Sequence, residues 1–545
     1  MNRFLVILLI ACSSILNTYA QPTEDMHIPK YGDDKTPYPL YGGSFGIDIK
    51  LNDADIQFLA DNFNAYYGSW KIGMEEADKL RSIDPQFDLL SYRGNWRIGY
   101  SDRDWVDNGN RNEMVYYRVG FLKNSINIDD NKIVIDSLFG ALIASDAHPD
   151  SLTTYKIGEE YKFNTFLKIG EEYLRIDSVN ANIAFVNRGY DNSKAFKHKA
   201  GSLILAPIYG RPPQPEGIKP YEYRQSEHSM LRWKEMLRDV LENYHTHHGG
   251  IWIDILIGNL SHYAMSGETV PPELIYNPVT NKVYNKLERA MDAEKGIKYI
   301  QDLYYTIYGK YPLIWGNNMM YPIDHEHDRV RMLKSTSVKP RPINGFAQEN
   351  SVAHYGYGGH SGKLFMYTPY EEWQLTLRSN MFCGENKLSN CPIIMDGGID
   401  NKKFAKLPKE RRHELFMYGY ATYLLGVKVE DNGEIYSKFG LCPVVLDTEK
   451  TYHFELDPCF TWDIGKPIET HASKDYLNYK LDKHDVYVRK FENGIVLVNP
   501  TEKSAENVSL KKYGKYFVNP DVQEQKISKV SLAPRQGLIL LNPTK

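Results

Sequence analysis

Two short stretches decide the predicted fold: His248-Gly-Gly-Ile-Trp-Ile-Asp, which ends at Asp254, and Pro342-Ile-Asn-Gly-Phe-Ala-Gln-Glu, which ends at Glu349. Each is an apolar run of strand length that stops on a carboxylic acid, a pattern typical of a buried strand in a parallel sheet. In a barrel, parallel strands end at one face, and the loops there stay open to a substrate. We therefore expect the two acids to meet at that face.

Similar apolar runs alternate with amphipathic helical patterns on both sides of these stretches. The candidate strands are 63–68, 87–93, 250–254, 311–316, 343–349 and 391–396, with further candidates at 420–427 and 441–446. The candidate helices are 226–244, 286–308 and about 408–425. Strands that alternate with helices of this length predict an α/β fold with a parallel sheet, and about eight repeats predict a closed (β/α)8 TIM barrel. No Gly-x-Gly-x-x-Gly turn follows an early strand, which disfavours an open nucleotide-binding sheet.

Two regions depart from this alternation. Short strands and turns between 124 and 207 predict a small all-β module inserted into the barrel, and a hairpin with its turn at Glu492-Asn-Gly begins a C-terminal β-sandwich. The predicted organisation is a signal peptide at 1–20, a Pro-rich leader at 21–42, a barrel at 43–123 and 208–475, the insertion at 124–207, and the sandwich at 476–545.

Composition and the N-terminus limit the functional classes. The net charge of −4 over 545 residues leaves no basic surplus, so a nucleic-acid partner is not expected. Arg3, the apolar run that follows it and the small-residue site before Gln21 predict an export signal, and hence a secreted, periplasmic or cell-surface location. Lipid anchoring at Cys12 stays open. No later stretch reaches the roughly 20 apolar residues of a membrane span.

Cysteine usage is sparse. Cys383, Cys391, Cys442 and Cys459 remain after the signal, and the sequence does not choose among their three possible disulfide pairings. No Cys-x-x-Cys pair is present, so a thiolate zinc site is not expected.

The pair of strand-end acids suits the hydrolysis of a glycosidic bond. That reaction needs one carboxylic acid to protonate the leaving oxygen and a second carboxylate to attack the anomeric carbon or to activate water. We assign Glu349 as the general acid/base and Asp254 as the nucleophile or charge stabiliser, and the reverse assignment stays open. Asp396, in Ile393-Ile-Met-Asp, is a third strand-end acid that an ordinary turn would explain equally well.

Polar and aromatic residues follow two other predicted strands. Arg93 and Trp96 come after one strand, and Trp315, Asn317 and Asn318 come at the end of another. These side chains suit stacking on a sugar ring and hydrogen bonding to its hydroxyl groups. Loop packing and turn formation are the alternative interpretation.

Two histidine-rich segments raise the question of a metal. They are Tyr244-His-Thr-His-His and Asp324-His-Glu-His-Asp. Neither has the His-Glu-x-x-His spacing of a zinc hydrolase, so we expect neither a catalytic metal nor any other cofactor. The Gly-Ser-Trp segment at Gly68 lacks the second glycine of a nucleophile elbow, which disfavours a serine hydrolase.

Four segments together resemble a family of bacterial glycosyl hydrolases that has a TIM barrel and a C-terminal β-sandwich. They are Ala60-Asp-Asn-Phe-Asn-Ala-Tyr-Tyr-Gly, Gly250-Ile-Trp-Ile-Asp, Asn344-Gly-Phe-Ala-Gln-Glu-Asn and Phe491-Glu-Asn-Gly-Ile-Val-Leu-Val-Asn-Pro. The resemblance implies a glycosidase acting on an oligo- or polysaccharide, with Asp254 and Glu349 at the positions of the family's strand-end acids. The alternative is a surface carbohydrate-binding or adhesion protein on a catalytically inactive barrel. Sugar, linkage and oligomeric state stay open.

Overall fold

A computed structural model describes most of the chain. The described residues are 27–32, 35–43, 50–67, 74–93, 97–98, 110–144, 155–157, 160–162, 165–209, 221–222, 250–253, 264–309, 311–316, 344–348, 353–354, 366–392, 403–448, 451–481, 483–522 and 524–543. By compactness the chain divides into two units. The first comprises Met1–Gly94, Arg238–Asp254 and Tyr304–Lys545, and the second comprises Asn95–Leu237 and Ile255–Leu303.

The first unit contains a parallel sheet of eight short strands. They are β1 (Leu40–Gly43), β2 (Ala65–Tyr67), β3 (Asp88–Arg93), β4 (Gly250–Ile253), β5 (Leu313–Gly316), β6 (Gly345–Gln348), β7 (Ser389–Pro392) and β8 (Phe439–Leu441). Strands β1 to β7 pair in chain order, and β8 pairs with the free side of β1. Asn390 of β7 also forms an isolated parallel bridge with Ser437, two residues before β8 begins.

Five α-helices lie in the described residues. They are α1 (Asp53–Asn62), α2 (Met74–Ile83), α3 (Lys286–Tyr308), α4 (Tyr370–Glu385) and α5 (Lys409–Gly426). Helix α1 begins with a capping box, in which the Asn52 side chain accepts from the Asp55 N–H and the Asp55 carboxylate accepts from the Asn52 N–H. Helix α3 confirms the prediction at 286–308. The candidate strand at 420–427 is wrong, because those residues continue the buried helix α5.

The second unit contains a closed antiparallel barrel of six strands. In order around the barrel they are Leu203–Pro207, Phe166–Ile169, Glu172–Asn180, Ile183–Asn187, Lys132–Asp136 and Tyr116–Leu122. The last of these pairs with the first, as in Leu205↔Arg118, so the ring of hydrogen bonds has no free edge. Buried residues from all six strands, such as Ile133, Leu167 and Leu174, fill its core.

This barrel corrects the predicted fold class. The prediction was a (β/α)8 TIM barrel with a small all-β module, and it is wrong. Among the described residues, the strands that pair all the way round are antiparallel, most elements are strands, and helix content is only 25%. The sequence missed the barrel because Tyr116–Leu122, buried at all but two of its positions, lacks the two-residue alternation of a half-exposed strand.

The C-terminal region of the first unit is a β-sandwich. Its five-stranded antiparallel sheet consists of Tyr487–Phe491, Gly494–Asn499, Gln536–Leu541, Phe517–Asn519 and Glu524–Ile527, and Ala505–Ser509 pairs with Lys529–Leu532 in a second sheet. Phe491 pairs with Gly494, which confirms the hairpin predicted at Glu492-Asn-Gly. The domain boundaries proposed from the sequence stay predictions.

Short elements complete the described chain. The remaining strands are Arg97–Ile98, Tyr155–Ile157, Glu160–Lys162, Tyr221–Glu222, Ile275–Asn277, Lys282–Val283, Ala353–His354, Met366–Tyr367, Val444–Leu446 and Tyr452–Phe454, and the 3-10 helices are Asn110–Glu113, Pro272–Leu274, Pro458–Thr461 and Ser473–Tyr479. In the portion that the structure describes, no helix has the length and apolar character needed to cross a membrane. The four cysteines considered above are all buried free thiols, so none of the three disulfide pairings is formed.

Arg489 ties the sandwich to the carboxyl end of α5. Its guanidinium is fully buried, and Nη1 donates to the carbonyl oxygens of Leu424 (3.0 Å), Leu425 (3.0 Å) and Val427 (2.6 Å). The last carbonyl groups of a helix have no partner within the helix, so this one side chain satisfies acceptors that burial would otherwise leave unpaired.

A buried ion pair holds a long loop against the antiparallel barrel. The Glu172 carboxylate is fully buried and accepts from Arg188 Nε (2.6 Å) and Nη2 (2.9 Å), from the N–H groups of Gly189 and Phe196, and lies 2.7 Å from His198 Nε2. Burial acts to raise the pKa of Glu172, but the hydrogen bonds from Arg188, Phe196 and His198 outweigh it and lower the pKa. Arg188 also donates to the carbonyl oxygens of Asn127 and Asp130, so one pair joins several loops.

We expect Glu172→Gln to destabilise the protein by about 3 kcal/mol, because it leaves the buried Arg188 cation without its anion. Urea unfolding followed by tryptophan fluorescence and circular dichroism measures the change. The control is Asp177→Asn, which removes the partner of Arg175 at a more exposed pair and should cost less than about 1 kcal/mol. Equal losses in the two variants would contradict the role assigned to Glu172.

Candidate functional site

One face of the parallel sheet, here called the inner face, carries a cluster of buried side chains on the strands that precede the predicted acids. Alternate residues along the strands form one buried cluster, since successive side chains of a strand point to opposite faces. Its members are Tyr41, Ala65, Leu90, Trp252, Leu313, Trp315, Ala347 and Cys391. The cluster therefore draws on seven of the eight strands, β1 to β7.

Two tryptophans dominate that cluster. Trp252 of β4 and Trp315 of β5 are in register, and their rings stack with centroids 6.0 Å apart at an interplanar angle of 11°. Trp315 is also in register with Gly345 of β6, where a Cβ atom would lie 2.7 Å from the Trp315 indole. Gly345 is therefore required by the volume of the indole.

A charged pair lies at the amino-terminal edge of the same face. Asp88 starts β3 and is 8% exposed, and Lys438, just before β8, is fully buried. The Tyr41 hydroxyl donates to Asp88 Oδ2 (3.2 Å), and Lys438 Nζ donates to Ser389 Oγ (3.1 Å). Lys438 Nζ is also 5.9 Å from the centroid of the Trp315 ring, so the charged layer and the indole layer adjoin.

Burial shifts the pKa values of Asp88 and Lys438 in opposite directions, and both move toward pH 7. It raises the pKa of Asp88 to about 6, although Lys438 and Arg81 act to lower it. It lowers the pKa of Lys438 to about 7, against the attraction of Asp88. The folded protein therefore favours the uncharged form of each group.

Sequence analysis missed Asp88 and Lys438 as a pair. Asp88 was part of a predicted strand, and Lys438 precedes a short apolar run like many surface lysines. The two residues come together because the sheet has the strand order β3-β2-β1-β8, in which β2 and β1 separate the strand of Asp88 from the strand that follows Lys438. Such long-range pairing is not encoded in local spacing.

The predicted site residues fall mostly outside the described residues. Those outside are Trp96, Asp254, Asn317, Asn318, Glu349 and Asp396. Arg93 is the last residue of β3, and only its backbone is described. Trp315 is fully buried with its ring against Trp252, and its role in substrate binding stays a prediction.

The described strands nevertheless fix where the chain reaches the predicted acids. Ile253 ends β4 immediately before Asp254, and Gln348 ends β6 immediately before Glu349. Only β5 lies between these two strands. Ile253 is in register with Arg93 on one side and with Gly316 on the other, so Arg93 ends its strand at the same level.

Within the described ranges, no group of three or more His, Cys, Asp or Glu side chains is arranged to hold a metal ion. The segments 244–248 and 324–328 lie outside those ranges, as does the predicted signal peptide at 1–20 with Cys12.

Comparison with known proteins does not assign a family. No family model and no curated protein matches the sequence. Glycoside hydrolases are among the similar solved structures. A trehalose-6-phosphate hydrolase (TreA) from Bacillus licheniformis is 8% identical with a TM-score of 0.41, covering 93% of this chain and 99% of that one.

Two further structures are less similar. The glycoside hydrolase domain of PelA from Pseudomonas aeruginosa is 8% identical with a TM-score of 0.31, covering 74% of this chain and 94% of that one. A pyruvate kinase from Cryptosporidium parvum is 8% identical with a TM-score of 0.30, covering 78% of this chain and 68% of that one.

The interior charges generate a prediction about stability. At pH 6.5 we expect Asp88→Asn and Lys438→Met each to cost about 2–4 kcal/mol, because each leaves one buried charge uncompensated. The double variant should cost less than the sum of the two by at least about 1 kcal/mol, measured by urea unfolding. The exposed pair Asp53 and Lys79, 2.9 Å apart, is the control and should be additive. Additivity in the interior pair would contradict the coupling.

The pKa shifts of the same two residues predict how the free energy of unfolding of each single variant changes with pH. The pKa of Asp88 is raised on folding, so its stabilising contribution is complete below its ordinary pKa of about 4 and is lost as the pH rises through about 6. In Lys438→Met the free energy of unfolding should therefore fall across that range. In Asp88→Asn it should instead fall as the pH decreases toward about 7, because folding lowers the pKa of Lys438.

Proposed function

We propose that the chain is a glycoside hydrolase that cleaves an oligo- or polysaccharide at the carboxyl edge of the parallel sheet, with Asp254 and Glu349 as its two carboxylates. The observation that carries the proposal is the placement of the preceding strands. β4 and β6 end directly before the two acids and are separated by a single strand. In parallel α/β sheets, ligands bind outside the carboxyl ends of the strands.

Strand alternation supports a common direction for the two acids. Trp252 and Ala347 both belong to the inner cluster. Asp254 follows Trp252 by two residues, and Glu349 follows Ala347 by two residues. Because side chains two residues apart in a strand share a face, continuation of each strand by one residue would direct both carboxylates to the inner face.

The two acids would divide the roles of the reaction. A poorly solvated carboxyl group favours its protonated form and suits a general acid, whereas a solvated carboxylate suits a nucleophile. We assign Glu349 as the general acid/base, which would protonate the glycosidic oxygen, and Asp254 as the nucleophile or charge stabiliser. Arg93, whose strand ends level with Ile253, would bind substrate hydroxyl groups beside Asp254.

The remaining parts of the proposal follow from the sequence. Asp396, four residues after β7, is a third acid for the same edge. Trp96, Trp315, Asn317 and Asn318 are assigned to substrate binding. The N-terminal segment 1–20 is proposed to export the chain to the periplasm, cell surface or medium, where polysaccharide substrates occur.

The test is release of reducing ends from a panel of soluble polysaccharides and aryl glycosides. On any substrate that the wild type cleaves, Glu349→Gln and Asp254→Asn should each lose at least about a hundredfold in kcat while still binding it. Glu349→Gln removes general acid catalysis, which contributes at least about that much, and Asp254→Asn removes the second carboxylate that the reaction needs. The matched control is Glu371→Gln in the first turn of α4, an exposed acid that should leave the rate unchanged.

A carbohydrate-binding protein on an inactive scaffold would behave differently. It would bind a polysaccharide without releasing reducing ends, and neither acid substitution would change a rate. Cleavage that survives both substitutions would refute the assignment of Asp254 and Glu349.

A further inference from the structure

His413 lies between two carboxylates that belong to different parts of the first unit. The residue is in the second turn of α5. Its Nδ1 is 2.9 Å from Asp457 Oδ1, and its Nε2 is 3.3 Å from Asp521 Oδ2. Asp457 caps the 3-10 helix Pro458–Thr461, whereas Asp521 lies in the turn between the sandwich strands Phe517–Asn519 and Glu524–Ile527.

Only the protonated ring can serve both carboxylates. A neutral imidazole has one N–H donor and one lone pair, whereas the imidazolium has two donors. Ionised carboxylates accept hydrogen bonds and donate none. A neutral ring would therefore donate a hydrogen bond to one carboxylate and direct a lone pair toward the other.

The two carboxylates are not equivalent. Asp457 is nearly buried and also accepts from the Cys459 N–H (3.0 Å), so its position is fixed by its own loop. The Asp521 side chain is 43% exposed and lies on a turn. Loss of the proton would therefore keep the Asp457 contact and release Asp521.

Other charges around His413 are already paired. On the same helix, Lys409 lies 2.7 Å and Arg412 lies 2.5 Å from oxygens of Glu455. The Cys459 thiol is buried against Asp457, and burial raises its pKa well above the ordinary value. Among the described neighbours, His413 is therefore the group whose ordinary pKa is closest to neutrality.

We propose that His413 is a pH-dependent fastening that holds the sandwich turn at 520–522 against α5 while the imidazole is protonated and releases it when the proton is lost. The rest of the sandwich stays in place, because Arg489 and the close approach of Gly537 to Met417 and Tyr418 do not depend on this proton. The change is therefore local.

The electrostatics give the direction of the effect. The hydrogen bond to Asp457 is the largest cause that raises the pKa of His413 above its ordinary value, and Asp521 adds to it. A raised pKa means that the stabilisation is complete below about pH 6.5 and is lost as the pH rises through the folded value. Burial acts to raise the pKa of Asp457, but the bonds from His413 and Cys459 outweigh it and lower the pKa, so that group stays ionised throughout this range.

Hydrogen exchange of the full chain tests the proposal. Protection of the peptide that spans the turn, corrected for the intrinsic effect of pH, should fall about two- to fivefold between about pH 6 and about pH 9, the size expected for one partly exposed ion pair. In Asp521→Asn, the protection of this peptide should be as low at about pH 6 as it is at about pH 9. The substitution should also lower the midpoint of the His413 titration followed by NMR.

The second variant is His413→Gln, because glutamine is neutral at every pH. In this variant, the protection of the peptide that spans the turn should not depend on pH. The control is His453→Gln, since His453 is half exposed, lies 3.0 Å from Asp447 and is remote in sequence from the turn. The control should keep the wild-type response. Constant protection in the wild type, or a response that persists in His413→Gln or Asp521→Asn, would overturn the proposal.

Discussion

The packing of Trp252 and Trp315 into the space left by Gly345 is the constraint on which the inner face of the parallel sheet depends. The two indoles are in register across β4 and β5, and β6 approaches only because residue 345 has no side chain. Buried cores tolerate little change in volume. This contact therefore fixes the register of β4, β5 and β6. Two of these strands, β4 and β6, end immediately before the proposed catalytic acids.

The two edges of that sheet differ in chemistry. At the amino-terminal edge, Asp88 and Lys438 are buried, and burial favours the uncharged form of each. Such a pair contributes little net stability and is expensive to break, which suits a structural role. The indole layer separates it from the carboxyl edge, where Arg93 ends its strand. Under the proposed function, the charges that reach a substrate lie at that edge.

Local pattern predicted single elements well and their assembly poorly. The helix at Lys286–Tyr308 and the hairpin around Glu492 were confirmed because apolar period and turn chemistry are local properties. The fold class was wrong, because the closure of the antiparallel barrel depends on pairing between Tyr116–Leu122 and Leu203–Pro207, about 80 residues apart in the chain.

The same limit applies within the first unit. The stretch at 420–427 was predicted as a strand because α5 is buried around its whole circumference from Leu415 to Gly426 and so lacks a polar stripe there. Asp88 and Lys438 carry no signal of their own, since their meeting depends on the order of four strands. The strand-end acids were predictable as candidates, because an apolar run that stops on a carboxylate is visible in sequence.

The attachment of the sandwich to α5 shows how one interface combines permanent and reversible contacts. At the carboxyl end of the helix, Arg489 is fully buried, and its charge is delocalised over donors that meet fixed carbonyl groups. An arginine does not lose its proton in a protein, so pH cannot loosen that end. At the amino-terminal end, His413 is partly exposed and its second partner lies on a turn. Because the two contacts are at opposite ends of one helix, a change in the weaker contact can alter the turn without unfolding the strands that Arg489 holds.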